Sequence, residues 1–154
     1  MVQRSGWWAV LVGGLAGGAL DLLFAISFAA YNGISASRLL QTVASGLLGE
    51  GAYTGGGLSA ALGLLLHFAI ALGFASIFVL VSSAFPLLVR RPFLWGGLYG
   101  VIVFFFMRLI VLPLSAFPHP VSFRPLAATL DLSSHIFLLG IPIALAGRAA
   151  FGGR

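Results

Sequence analysis

The chain contains no cysteine and no lysine, and charged residues of either sign make up only 7% of it. Without cysteine there are no disulfides, no thiolate catalysis and no thiolate-bound metals. Without lysine there is no Schiff-base chemistry, and all eight basic residues are arginines. The acidic residues are Asp21, Glu50 and Asp131, and the histidines are His67, His119 and His135. Soluble domains carry about 25% charged residues. Here 60% of the 154 residues are hydrophobic, so the expected class is an integral membrane protein.

At roughly 20 apolar residues per crossing, the length corresponds to one all-α transmembrane domain with four spans and short connections. The net charge of +5 is spread over loop ends, which is a topology signal and not a nucleic-acid signal. The first apolar run is too long for a signal-peptide core and contains Asp21, so it reads as a retained span over about 7–30. The other spans fall at about 58–85, 93–112 and 126–147.

Span 1 places Gly14, Gly17, Gly18, Asp21 and Ala25 on one helical stripe, and both Gly13-x-x-x-Gly17 and Gly14-x-x-x-Gly18 have the spacing that lets membrane helices approach closely. The long connection that follows opens with an Asn32-Gly33 turn. Ser35 or Ser37 can then cap a short helix over about 38–48. Its Leu39, Leu40, Val43, Ala44, Leu47 and Leu48 share a side, with Arg38, Gln41, Thr42 and Ser45 opposite. About 11 residues reach only ~16 Å, so this helix is interfacial or re-entrant.

Span 2 aligns Ala60, Gly63, His67, Ala71 and Ala75, which puts its one ionisable residue on the packing face. Span 3 aligns Gly97, Gly100, Phe104 and Arg108. Span 4 places Asp131 and His135 one turn apart, and Pro142 predicts a kink. Gly-Gly-Leu-Ala-Gly at 13–17 recurs as Gly-Gly-Leu-Tyr-Gly at 96–100, and His67 has a counterpart in His135. These recurrences predict two parallel-repeat hairpins related by an axis along the membrane normal.

Counted from the span ends, Asp21, His67 and His135 lie about 13 Å deep, with Arg108 and Asp131 about a turn shallower. Ionisable groups at such depth are costly and mark a functional site by default. Four readings stand for this buried layer: interhelical hydrogen-bond glue, a proton or ion relay, a bis-histidine haem site on His67 and His135, and an active site for lipid or small-molecule chemistry. His67 and His135 are also the metal-ligand candidates, although no short ligand-spacing motif accompanies them. Glu50 reads as a solvated loop charge or a partner of Arg38, His119 as an exposed loop residue, and Phe104 to Phe106 as lipid-facing or packing bulk.

Spans 2 to 4 carry His67, Phe85-Pro86, a short loop, Gly96-Gly97-Leu98-Tyr99-Gly100, Pro113-Leu114, and a last span with an acidic residue before His135. This order resembles the YagU-like family of small bacterial inner-membrane proteins. The resemblance implies a bacterial inner membrane and a shared His67 and His135 framework, and it implies no particular activity. With four spans, Arg4, Arg90, Arg91, Arg148 and Arg154 share a side against Arg38 and Arg124, which predicts cytoplasmic termini.

Two functional expectations follow. The first is a non-enzymatic protein that acts through helix contacts, as a homo-oligomer or as part of a larger membrane complex. Its packing residues are Gly14, Gly17, Gly18, Gly97 and Gly100. The second is proton- or ion-coupled transport through Asp21, His67, Arg108, Asp131 and His135.

Overall fold

The structure is a computed structural model that describes residues 5–151. Arg4 and Arg154, two of the arginines counted for orientation, lie outside the described residues. Within the described residues every regular element is helical. Four helices are long and apolar enough to cross a membrane: α1 (Gly6–Tyr31), α3 (Gly56–Ala84), α5 (Pro92–Leu114) and α6 (Pro125–Phe151). Between them lie α2 (Ala36–Leu48), a 3-10 segment (Gly49–Tyr53) and the single turn α4 (Leu87–Arg90). The α4 end, with Arg90 and Arg91, is the basic end below, and the opposite end is the cap end.

Capping chemistry sets the helix starts. Ser5 Oγ accepts from Trp8 N at 3.3 Å, and Ser35 Oγ accepts from Arg38 N at 3.2 Å. Gly33, with φ 75°, turns the chain between α1 and α2, in the region that favours a residue without a Cβ.

Missing side chains decide the packing. On α1, Gly14 and Gly18 meet Leu72, Ala71 and Phe68 of α3, while Gly13 and Gly17 meet Ile143, Ala146 and Leu139 of α6. The two overlapping four-residue glycine spacings therefore serve two different neighbours. On α5, a Cβ at Gly96 would stand 2.8 Å from Gly140 O, and one at Gly100 would collide with His135 O. Gly97 has looser surroundings, with Ile136 Cγ2 at 3.6 Å. The matched motifs 13–17 and 96–100 thus both face α6, which sits between α1 and α5. No comparable crossing joins α3 to α5.

The short helix α2 lies against α3 and touches α1. At 13 residues, or about 20 Å, it is too short to cross. Its close approach comes from Gly63, where a Cβ would collide with the Leu40 carbonyl. Gln41 and Ser45, expected on the polar side, are buried instead. Gln41 Nε2 donates to Gly56 O at 3.1 Å, and Ser45 Oγ donates to Thr42 O at 2.7 Å, so both bury satisfied polar groups.

Pro142 was expected to kink α6, and the structure shows how its backbone is accommodated. A π-helical turn, His135–Gly140, precedes it, and Ile141 N donates to Ile136 O, five residues back. A second π-turn, Met107–Val111, precedes Pro113 in α5, with Leu112 N donating to Met107 O. Proline removes a donor and crowds the preceding turn, and widening that turn relieves the crowding. The two π-turns contain Arg108 and His135.

Candidate functional site

A cavity of about 400 Å³ lies between the spans at the cap end. Asp21, His67, Arg108, Asp131 and His135 all line it, so the five ionisable residues expected in a buried layer share one cavity. Each comes from a different local device. Asp21 follows the glycine stripe of α1, and His67 follows Gly63 on the small-residue face of α3. Arg108 and His135 stand in the π-turns, and Asp131 lies one turn before His135. The upper wall combines the apolar Leu39 and Val43 of α2 with Phe117, Val121, Ser122 and Arg124 of the connection before α6, so a second arginine also lines the cavity.

Arg108 is fully engaged. Its Nε and Nη2 donate to Asp131 Oδ2 at 3.3 and 2.7 Å, and Nη1 donates to Ser122 O at 2.7 Å. Phe104 and Phe123 stand 5.0 and 5.4 Å from the guanidinium carbon, within cation–π range. The Asp131 side chain keeps 36% of its surface accessible, against 19% for Arg108. Ser134 Oγ donates to Asp21 Oδ1 at 2.6 Å and joins α1 to α6.

In each imidazole one nitrogen faces a backbone carbonyl. A carbonyl oxygen only accepts, so His67 Nε2, 2.8 Å from Gly18 O, carries its proton, as does His135 Nδ1, 2.8 Å from Asp131 O. His135 Nδ1 also lies 3.3 Å from Asp131 Oδ1 and 3.8 Å from Asp21 Oδ1. His67 spends Nε2 on the α1 backbone. Among the described residues no group of three or more His, Asp or Glu is placed to hold a metal ion.

Below the cavity the interior is closed. Ala75, Phe78, Val103, Leu139 and Ile143 are buried against one another. Tyr99 Oη donates to Phe74 O at 2.7 Å and bridges α5 to α3 at that level. Above it, the connection before α6 is tied to α2 and its 3-10 extension. Ala116 N donates to Gly46 O at 2.9 Å, and Tyr53 Oη lies 3.1 Å from His119 Nε2. The Arg38 guanidinium stacks 3.8 Å over the Tyr53 ring, whereas Glu50 forms no ion pair among the described residues.

Sequence reasoning missed Ser134. Its signal was present, since it lies three residues after Asp131 and so near the same face. It also missed the π-turns, whose signal was a proline five residues past Arg108 and seven past His135. The chain matches no protein-family model, no curated protein and no solved structure.

Proposed function

We propose that this is a multi-pass membrane protein that binds a small molecule in its cap-end cavity, with proton-exchanging groups forming the floor. One observation carries the reading: five ionisable side chains from four helices converge on a single cavity that is closed beneath by packed apolar side chains. Ligand sites are concave, mostly apolar and supplied with a few converging polar groups, and they span about 300–1,000 Å³. A conducting path would need polar lining through the basic half, where Phe78, Val89, Ile143 and Ala146 instead belong to one buried apolar cluster. This favours ligand binding at one face over ion conduction. The glycine faces that motivated an oligomeric or accessory role are used within the chain, by α1 against α3 and α6 and by α5 against α6.

In this reading the basic end is cytoplasmic, as the arginine asymmetry favours, and the membrane is the one the YagU-like resemblance implies. The cavity then lies in the outer half of a bacterial inner membrane, and α2 rests at the outer interface.

The absence of cysteine makes the test clean. Single cysteines replace Ala25 or Ala127 in the cavity lining and Ala75 in the packed floor, and the purified proteins react with N-ethylmaleimide. The expected result is labelling of Ala25→Cys and Ala127→Cys at least tenfold faster than Ala75→Cys. Equal, slow rates at all three positions would remove the cavity and the reading with it.

A further inference from the structure

The two arginines on the cavity, Arg108 and Arg124, are placed very differently. In the deep part every charged group has its partners within the protein. Asp131 takes Arg108 at 2.7 Å with His135 Nδ1 at 3.3 Å, and Asp21 takes the Ser134 hydroxyl at 2.6 Å with His135 Nδ1 at 3.8 Å. The Arg124 guanidinium, by contrast, makes no hydrogen bond, ion pair or ring contact among the described residues. It is exposed at the cavity mouth, seven residues before Asp131 and so about 10 Å towards the cap end. Its backbone is nevertheless held on both sides. Arg108 Nη1 donates to Ser122 O at 2.7 Å, the Phe123 ring stands 5.4 Å from the Arg108 guanidinium carbon, and Arg124 O accepts from Ala128 N at 2.8 Å. A guanidinium without a carboxylate of its own matches paired anionic oxygens in geometry as well as charge. Arg124 is also the N-cap residue of α6, which no side chain caps, so the helix end favours the same sign of ligand. Beside it lies an apolar wall, formed by Leu39 and Val43 of α2 with Phe117 and Val121 of the connection.

We infer that the cavity takes an amphiphile with an anionic head, a carboxylate or a phosphate, the head meeting Arg124 at the mouth and an apolar chain lying along Leu39, Val43, Phe117 and Val121. This names the ligand class for the binding reading and rests on that reading. The two carboxyl groups do not oppose it, because both are partnered in the deep part of the cavity and the head stays at the mouth. A free fatty acid and an acidic phospholipid both present such an anion.

The experiment uses the full chain with Ala25→Cys, in maltoside detergent, and measures how added amphiphiles slow its labelling by N-ethylmaleimide, an uncharged reagent. The probes are laurate, lauroyl lysophosphatidylglycerol and dodecyltrimethylammonium. At least one of the two anions is expected to protect at a concentration about tenfold below that of the cation. Arg124→Gln should raise that anion's half-protecting concentration about tenfold, and Arg90→Gln, an exposed arginine at the basic end, should leave it unchanged. Protection by laurate alone would identify a free fatty acid, and protection by the lysophospholipid, with or without laurate, a lipid headgroup. Either result upholds the anionic site. Anions no better than the cation, no protection by any probe while Ala25→Cys labels rapidly, or an anion preference that survives Arg124→Gln would each overturn the ligand class and leave the cavity standing. An equal loss in Arg90→Gln would trace the preference to net charge and overturn it as well. The anion-against-cation comparison needs no change at Arg124, so a poorly folding Arg124→Gln does not blunt it. Failure of Ala25→Cys to label at all without amphiphile would instead sink the cavity and the binding reading.

Discussion

At the level of single residues, the pair Arg108 and Asp131 separates function from glue. Removing one partner of a poorly solvated pair leaves the other charge uncompensated, whereas removing both restores neutrality. Arg108→Gln should therefore destabilise the protein by about 2 kcal/mol, given the partial exposure of the pair, and Arg108→Gln with Asp131→Asn should recover most of it. Thermal unfolding in detergent reads both, and additive losses in the double variant would contradict the pairing. Glycines give a sharper contrast. Gly100→Ala forces a Cβ into the His135 carbonyl and should cost about 3 kcal/mol or prevent folding. Gly97→Ala, one turn position away, meets only the Ile136 methyl at 3.6 Å and should fold normally. Equal yields of the two proteins would show that α5 and α6 are not packed this closely.

Among the elements, the π-turns determine what the cavity contains. Each adds one residue ahead of a proline and so turns the cap half of its helix by about 100° relative to the basic half. In α6 this sets Asp131, Ser134 and His135 towards α1 and α5 while Gly140 stays at its crossing with Gly96. Deleting Phe137, an exposed residue in the turn, should keep the lower crossing and swing Asp131 away from Arg108. The expected result is a folded protein in which Arg108→Gln no longer matters to stability. An unchanged cost of Arg108→Gln in the deletion background would mean that the π-turn does not orient the site.

These same elements show how much was legible in the sequence. The four long helices follow from unbroken apolar runs, and the packing faces of α1 and α3 follow from small residues at helical spacing. The five cavity residues stood out because charge in such a chain is rare. Three features depended on three-dimensional closeness that spacing does not encode. Gly96, and not Gly97, carries the α5 crossing, because Gly96 and Gly100, one turn apart, are the positions that meet the Gly140 and His135 carbonyls. Gln41 and Ser45 are buried because Gly63 lets α2 sink onto α3, where their side chains find backbone partners. The recurrence of Gly-Gly-Leu-x-Gly led to an expectation of symmetric hairpins, yet both copies turn towards α6.

Across the whole molecule, four helices long and apolar enough to cross a membrane enclose a cavity with ionisable groups at the cap end above a glycine-packed lower half. The most direct measurement asks from which side the cavity is reached. Membrane vesicles carrying Ala25→Cys are treated with the membrane-impermeant reagent 2-(trimethylammonium)ethyl methanethiosulfonate, from outside or trapped inside. Ser37→Cys serves as the reporter for the cap end and Leu87→Cys for the basic end, both residues being exposed. The account predicts that Ala25→Cys labels only from the side that labels Ser37→Cys. Labelling from the side of Leu87→Cys, or equally from both sides, would contradict the closed floor and replace the binding site with a path through the protein.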